Sequence, residues 1–426
     1  MVNQMRVDLE KPPVIIAGLY LPGISLLRNF SRRGIRAFGI DSDPSVVGFH
    51  TRYGEKSVCP DPERESEAWL DFMVTLGARS GGRAVLIPTA DKFVLPIDAF
   101  ASRLKEFFVF ANPPDLLQTR LTNKRNTFTL AAQHGFPIPK TCYPTSERDL
   151  EDFGLDAKFP CLIKPELSLS WAQAGPRTPV YGRKVLIAQS VEELVALYRQ
   201  VAAIDPRVIV QEVIQGPDEN LLYFICYLTR KQEVLGAFAG RKVRVVPIHF
   251  GSASFVETIY DAQLEEQSCR FLRDMGYWGI CGLEVKRDRR DGKLKLVEIN
   301  PRYGLWDEIG QHIGVDIGYI AYQDLLGLPV SQQRAVRPHH SWVSLERDLP
   351  AFFEYKREGL VTFRSWLSSL SGPILWTDVS LKDWRVTWFV VQSLLRGAVK
   401  RLSRRLAFVF SSANNALQAR PNGREF

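Results

Sequence analysis

GICGLEVKRDRRDGKLKLVEINPR, residues 279–302, is the stretch on which the reading of this chain turns. Two short runs of strand character, 280–286 and 293–299, flank a charged turn. Asp291-Gly292 within that turn is a strong hairpin signal. A three-residue loop of Arg290, Asp291 and left-handed Gly292 places Glu284 opposite Glu298. Asn300, two residues further on, then points to the same face. Carboxylates opposed across a ladder repel each other, and a bound cation is an economical way to offset that. Oxygen-only ligands suit a hard ion such as Mg2+, which keeps waters and substrate phosphates in its shell. Arg302 follows at once, a fork-shaped donor suited to phosphate oxygens. Alone, the same residues also fit a solvated hairpin with polar edges.

The totals bound what surrounds this hairpin. A length of 426 predicts two or three domains, and an apolar fraction of 45% is ample for their cores. The six cysteines, at 59, 142, 161, 226, 269 and 281, form no CxxC pair and no zinc spacing. Reduced structural thiols in a reducing compartment fit them better than a disulfide framework. Acidic residues precede the first apolar run and no small-residue cleavage site follows it, which argues against a signal peptide. No apolar stretch is long enough to span a bilayer. Residues 381–426 hold nine Lys or Arg against Asp383 and Glu425, so this tail carries a net +7 of the chain's +8. The remainder is almost neutral, and the basic balance says little about the chemistry there.

Outward from the hairpin, the order of elements becomes informative. Residues 13–18 read as a buried strand, LRNFSRRG as a helix and IRAFGID as a second strand ending in Asp41. That β-loop-α-β start predicts the parallel pairing of a doubly wound, Rossmann-like sheet. The loop GLYLPGIS has the glycine spacing of a phosphate loop, but Ile24 stands where its lysine belongs, and GxGxxG is absent. A strand at 84–91 ends in Asp91, which suits either a ligand at the strand's end or a cap on the next helix. A new unit begins near 120 with a helix bearing Lys124 on its first turn and stopped by Gly135. FPCLIKP, 159–165, is a short apolar strand with Lys164 near its end; a phosphate partner and a snorkelling surface lysine are both open. Residues 167–183 read as a polar loop. VIVQEVIQG, 208–216, is a strand whose tail Gln211-Glu212-Val213-Ile214 suits a hinge between lobes, with Glu212 accepting from an adenine amino group. In the later basic run, strand alternation puts Lys242 and Arg244 on one face and Arg241 on the other. Past 330 the chain turns Trp-rich and then basic. Residues 384–410 mix Trp, Phe and Leu with Arg and Lys, as a helix in a membrane interface would, or a basic helix packed on the body. No nucleic-acid module is visible, so no nucleic-acid partner is expected.

This succession resembles the ATP-grasp superfamily, in particular the carboxylate–amine ligase branch similar to carbamoyl phosphate synthase and D-aspartate ligase. It comprises an α/β domain, the Lys124 helix, FPCLIKP, a loop, VIVQEVIQGPDEN, GRKVRVVPIHFGSAS and GLEVKRDRRDGKLKLVEINPR, and covers about 14–330. The resemblance implies an α/β and α+β chain in three parts. These are a Rossmann-like pre-ATP-grasp domain at 1–119, a two-lobed ATP-grasp domain at 120–330 hinged near 211–216, and a C-terminal extension at 331–426. By position it implies ATP phosphates on Lys124 and Lys164, and adenine at Glu212, Val213 and Ile214. Glu219, or Asp218, would lie near the ribose. Glu284, Glu298 and Asn300 would hold Mg2+ or Mn2+. Arg302, Lys242 and Arg244 would serve the reacting atoms, with Arg241 in the same run. Three features depart from the pattern. Asn123 replaces an acidic residue, Gly175 and Gly182 stand alone where paired glycines are usual, and 331–426 has no counterpart.

The implied activity is Mg-dependent, ATP-driven joining of a small carboxylate to an amine, or a thiol, through an acyl phosphate, in the cytoplasm or at the inner face of a membrane. A catalytically inactive ATP-binding scaffold is the rival, and the complete Glu284, Glu298, Asn300 and Arg302 set argues against it. A dinucleotide enzyme built on the first domain would need a better phosphate loop than GLYLPG. The acid, the amine and the oligomeric state stay open at this level.

Overall fold

The computed structural model describes residues 11–80, 83–167, 170–171, 174–335 and 340–399. Residues 1–10, part of the reading against a leader, and 400–410 of the tail lie outside them, as do four positions of the 167–183 loop.

The chain opens with a five-stranded parallel sheet in the order β3-β2-β1-β4-β5, formed by β1 (Val14–Ala17), β2 (Ala37–Asp41), β3 (Glu55–Val58), β4 (Ala84–Pro88) and β5 (Phe108–Val109). Alternate side chains of β1 enter different cores. Val14 and Ile16 face one, Ile15 and Ala17 the other, which is why the strand is apolar at every position. The first crossover differs from expectation. The helix Leu21–Arg32 begins so early that Pro22 and Gly23 of GLYLPGIS lie in its first turn. Proline is tolerated there. A Cβ on Gly23 would stand 2.0 Å from the Gly18 carbonyl oxygen, so this glycine serves close packing rather than a phosphate turn.

Next comes a small four-stranded antiparallel sheet, ordered β6-β9-β7-β8, from β6 (Thr141–Cys142), β7 (Cys161–Pro165), β8 (Leu186–Ala188) and β9 (Val208–Glu212). Trp171 and Val180 of the loop before β8 are buried in its core, so that loop is less purely polar than its composition suggests.

The large sheet has eight strands. β10 (Leu221–Leu228), β11 (Val234–Val246), β12 (Ser252–Ile259), β13 (Gly279–Arg287) and β14 (Leu294–Asn300) run antiparallel in the order β14-β13-β10-β11-β12. β15 (Gln333–Arg334) pairs with β11, while β16 (Ser341–Val343) and β17 (Ile374–Trp376) extend the sheet beyond β12. Residues past 330 thus build three of the strands of this sheet. One of its faces shares a core with the first sheet, joining Ile16 and Leu27 to Tyr223, Phe238 and Trp342. The other is covered by the helices Lys124–Gln133 and Ala262–Asp274.

Two corrections concern β-bulges. Near the 279–302 turn the Asp288 N–H bonds the Lys293 carbonyl, closing a four-residue loop, 289–292, rather than the three residues expected. That alone would shift the register by one. An irregularity between Glu284 and Val285 on the β13–β14 ladder shifts it back, and Glu284 faces Glu298 after all. Gly292 is left-handed, with φ of 69°. On β11 a second irregularity lies between Lys242 and Arg244. It breaks the expected alternation and sends these two side chains to different partners.

Candidate active site

A cavity of about 750 Å3 lies between the small and large sheets. Its floor is the β13–β14 hairpin, with Glu284, Glu298, Asn300 and Arg302 all facing it. The repulsion between the two carboxylates is met by lysines from other elements. Lys242, on β11, contacts Glu284 directly, and both are buried. Lys124 places its Nζ 3.6 Å from Glu298 Oε1. Burial pushes the Glu298 carboxyl up, but Lys124, Lys184, Lys242 and Arg302 together hold it below the usual carboxylate range.

Each lysine is positioned by local structure. Lys124 opens its helix directly after Asn123, whose side chain accepts the Asn126 N–H at 3.0 Å as an N-cap. Asn caps as well as Asp, which accounts for the departure at 123. The Lys124 N–H bonds the Glu166 carbonyl, tying this helix to the end of β7. Lys164, on β7, is buried with its Nζ 4.4 Å from the centre of the Phe128 ring. Burial and then Lys124 push its ammonium down to about 7. Lys184 carries no signal in the sequence, being a lone lysine that closes a loop. Its Nζ donates to Ser252 Oγ at 2.7 Å, so it reaches from the small sheet to the large one across the cavity mouth. Desolvation lowers its pKa, against the pull of Glu298, although the side chain keeps contact with solvent.

Arg302 Nε donates to Asp91 Oδ1 at 2.5 Å, and its Nη2 to Asn300 Oδ1 at 2.9 Å. Burial opposes its charge, but Asp91 holds the guanidinium's pKa above its ordinary value. Asp91 does not cap a helix. It is the first residue of Asp91–Ala99, where Ala90 occupies the cap, and it lines the cavity.

The remaining expected residues are arranged differently. Val213 and Ile214 line the cavity together with the apolar side chains of Leu162, Leu221 and Leu296. Glu212 does not offer a spare carboxylate. One oxygen accepts the Lys158 N–H at 2.9 Å and the other Arg290 Nη1 at 3.0 Å. The Val213 N–H is also engaged, by the Pro160 carbonyl at 3.0 Å. Glu219 is exposed and does not line the cavity, whereas Asp218 is buried against His249 and Tyr355. Arg241 pairs with Glu257 at 2.6 Å. Arg244 lies outside the cavity lining, clamped by Asp348 at 2.8 and 2.9 Å with both side chains buried.

The segment past 330 reaches the site through this clamp and its neighbours. Glu354 accepts the Ile248 N–H at 2.9 Å, and Glu358 lies 3.1 Å from His249 Nε2. These contacts fix the loop at 247–252 that closes one side of the cavity.

The donor set suits a hard cation. Two opposed carboxylates and one amide oxygen leave room for phosphate oxygens and water in an oxygen shell. Among the described residues no three or more His, Cys, Asp or Glu side chains gather as a metal cluster, here or at any other place, so phosphate and water would have to complete the shell.

No protein-family model matches the chain. In sequence it is 26% identical over 228 residues to a D-aspartate ligase of Enterococcus faecium, a match spanning 52% of this chain and 53% of the relative, about half the length of each. Solved structures share its architecture, three of them as follows. The N5-carboxyaminoimidazole ribonucleotide synthetase of Thermus thermophilus aligns over 77% of this chain and 81% of its own, with a TM-score of 0.56 and 15% identity. The biotin carboxylase domain of Hydrogenobacter thermophilus 2-oxoglutarate carboxylase, in complex with MgADP, ADP and bicarbonate, covers 77% and 73%, with a TM-score of 0.59 and 16% identity. The L-amino acid ligase of Bacillus licheniformis covers 77% and 78%, with a TM-score of 0.55 and 14% identity. By its two facing sheets and these likenesses the chain has the ATP-grasp fold, and over about half its length it is similar in sequence to a D-aspartate ligase.

Proposed function

We propose that this chain is an ATP-dependent ligase that joins a carboxylate to an amine through an acyl phosphate. The observation that carries the reading is the convergence of Lys124, Lys164, Lys184, Lys242 and Arg302 on the facing pair Glu284 and Glu298 in one cavity. With Asp91 counted beside Arg302, five cationic side chains face three carboxylates and leave a positive excess, which polyphosphate would satisfy. The apolar slot of Leu162, Val213, Ile214, Leu221 and Leu296 is suited to a purine ring. Glu284, Glu298 and Asn300 would hold Mg2+, or Mn2+, which supplies charge neutralisation between the phosphates.

In this reading the substrate carboxylate attacks the γ-phosphorus of ATP. A C–O–P bond forms, the bond to the bridging oxygen breaks, and ADP leaves. The amine then attacks the acyl carbon, loses a proton and expels phosphate, leaving an amide. Lys124 and Lys164 bind phosphate oxygens. Lys242 and Arg302 lie where charge develops on the transferring group, and Arg302 is kept oriented by Asp91 and Asn300. No side-chain nucleophile is required. Arg244, Glu212 and Glu219 take structural or peripheral parts rather than direct ones. The D-aspartate ligase and L-amino acid ligase relatives favour amino acids as substrates.

Purified protein with ATP, Mg2+ and paired amino acids tests this. ADP and phosphate should appear only when both partners are present, and hydroxylamine in place of the amine should trap the acid as its hydroxamate. ATP binding without turnover for every pair would instead favour the inactive scaffold.

A further inference from the structure

We propose that the outer face of the helix spanning 384–399 is a docking surface for an anionic membrane. The helix is apolar on two opposite sides, and the body covers one of them. Val386 and Val390 are fully buried, and Phe389 packs against His50 in a tilted pair with ring centroids 4.6 Å apart. Its start is anchored by Asp383, which pairs with Arg28 at 2.9 Å, and Ser393 donates to Glu346 at 2.8 Å. Opposite lie Trp384, Trp388, Val391 and Leu395. At 3.6 residues per turn these four fall within about 60° of arc. Trp384, Trp388 and Leu395 are 59%, 56% and 60% exposed.

A helix with apolar stripes on two opposite sides normally has both covered, so the bare stripe calls for an occupant. Charge selects which. Lys382, Arg385 and Arg396 flank the stripe, and Lys400, Arg401, Arg404 and Arg405 follow it in the sequence. A second copy of the chain would bring like charge against like. An anionic lipid surface supplies the opposite sign, and tryptophan suits the headgroup boundary, where its ring is buried and its N–H stays wet. The proposed contact is a peripheral one; no helix among the described residues is long and apolar enough to cross a membrane.

Co-sedimentation of the full chain with vesicles tests the assignment. Binding is expected to phosphatidylglycerol–phosphatidylcholine vesicles, weakened by salt, and not to phosphatidylcholine alone. Trp388→Ser with Leu395→Ser should weaken it at least about tenfold while the thermal melt is unchanged, because both side chains are exposed. Equal binding to neutral vesicles overturns the proposal. So does binding that the double variant leaves intact but removal of 400–426 abolishes. A lipid-free dimer that the double variant dissociates would assign the stripe to a second copy instead.

Discussion

Raising the pH above about 7 should weaken ATP binding by taking a proton from Lys164. Burial and Lys124 push this ammonium down to about 7 from its ordinary 10.5. At pH 8 the free protein then carries only about 0.1 proton on Lys164. A phosphate oxygen beside Nζ would restore the charged form, so binding at pH 8 should take up about 0.9 proton. The sign follows from linkage. The complex holds a proton that the free protein lacks, so the dissociation constant should rise about tenfold per pH unit above 7 and level off below about 6. Stability of the free protein moves the other way. Between about 7 and 10.5 the unfolded chain binds more protons than the native one, and unfolding becomes harder by up to about 5 kcal/mol across that window. Calorimetric titration of Mg·ATP in HEPES and in Tris at one pH gives the proton count from the difference in apparent enthalpy. Lys164→Met should bind more weakly and take up no proton at this site. A count near zero in the wild type at pH 8, or the same count in Lys164→Met, would refute the reasoning.

Other consequences are separable. Asp348→Ala should cost about 3–5 kcal/mol in a denaturant titration, because it strands the buried Arg244 guanidinium; an unmoved midpoint would deny the clamp. Asp307, its carboxyl pushed up to about 7 by burial, holds a proton in the native state that the unfolded chain loses near 4. Stability should therefore fall by up to about 4 kcal/mol as pH rises through that interval. Asp307→Asn should remove this slope, which urea midpoints at pH 5 and pH 8 would reveal. Glu354→Ala with Glu358→Ala frees the Ile248–His249 loop and should raise the KM for ATP about threefold to tenfold, with little change in the KM for the acid. A parallel rise in both would point to general unfolding.

Much of the fold was legible because local pattern and long-range pairing agree. β1, β7, β9 and β10 are buried at every position, and runs such as VIIA and VIVQE announce that by composition. The sequence predicts the opposition of Glu284 to Glu298 from a loop one residue shorter than the real one, and a bulge at 284–285 restores the register. A bulge leaves no mark that alternation can detect, and at 242–244 the same blindness put Arg244 on the wrong face. The partners of Arg244 and Glu212 come from Asp348 and Arg290, far along the chain, so nothing near either residue disclosed that its charge was already engaged. The segment past 330 was opaque for a related reason. Its strands are only two or three residues long and exist because β11, β12 and β16 offer edges to pair with. Lys184 is a site neighbour only because its loop folds over Ser252.

The most direct test of the central claim is the Mg2+ dependence of ATP binding, compared between the wild type and Glu298→Gln. Removing one of the two facing carboxylates leaves Lys124, Lys164 and the apolar slot in place. Wild-type protein should bind ATP markedly more tightly with Mg2+ than with EDTA, and Glu298→Gln should lose that difference, and all ligase turnover, while still melting as a folded protein. Identical affinity in EDTA and Mg2+ for the wild type, or an undiminished metal effect in Glu298→Gln, would contradict the assignment of Glu284 and Glu298 to a metal beside ATP.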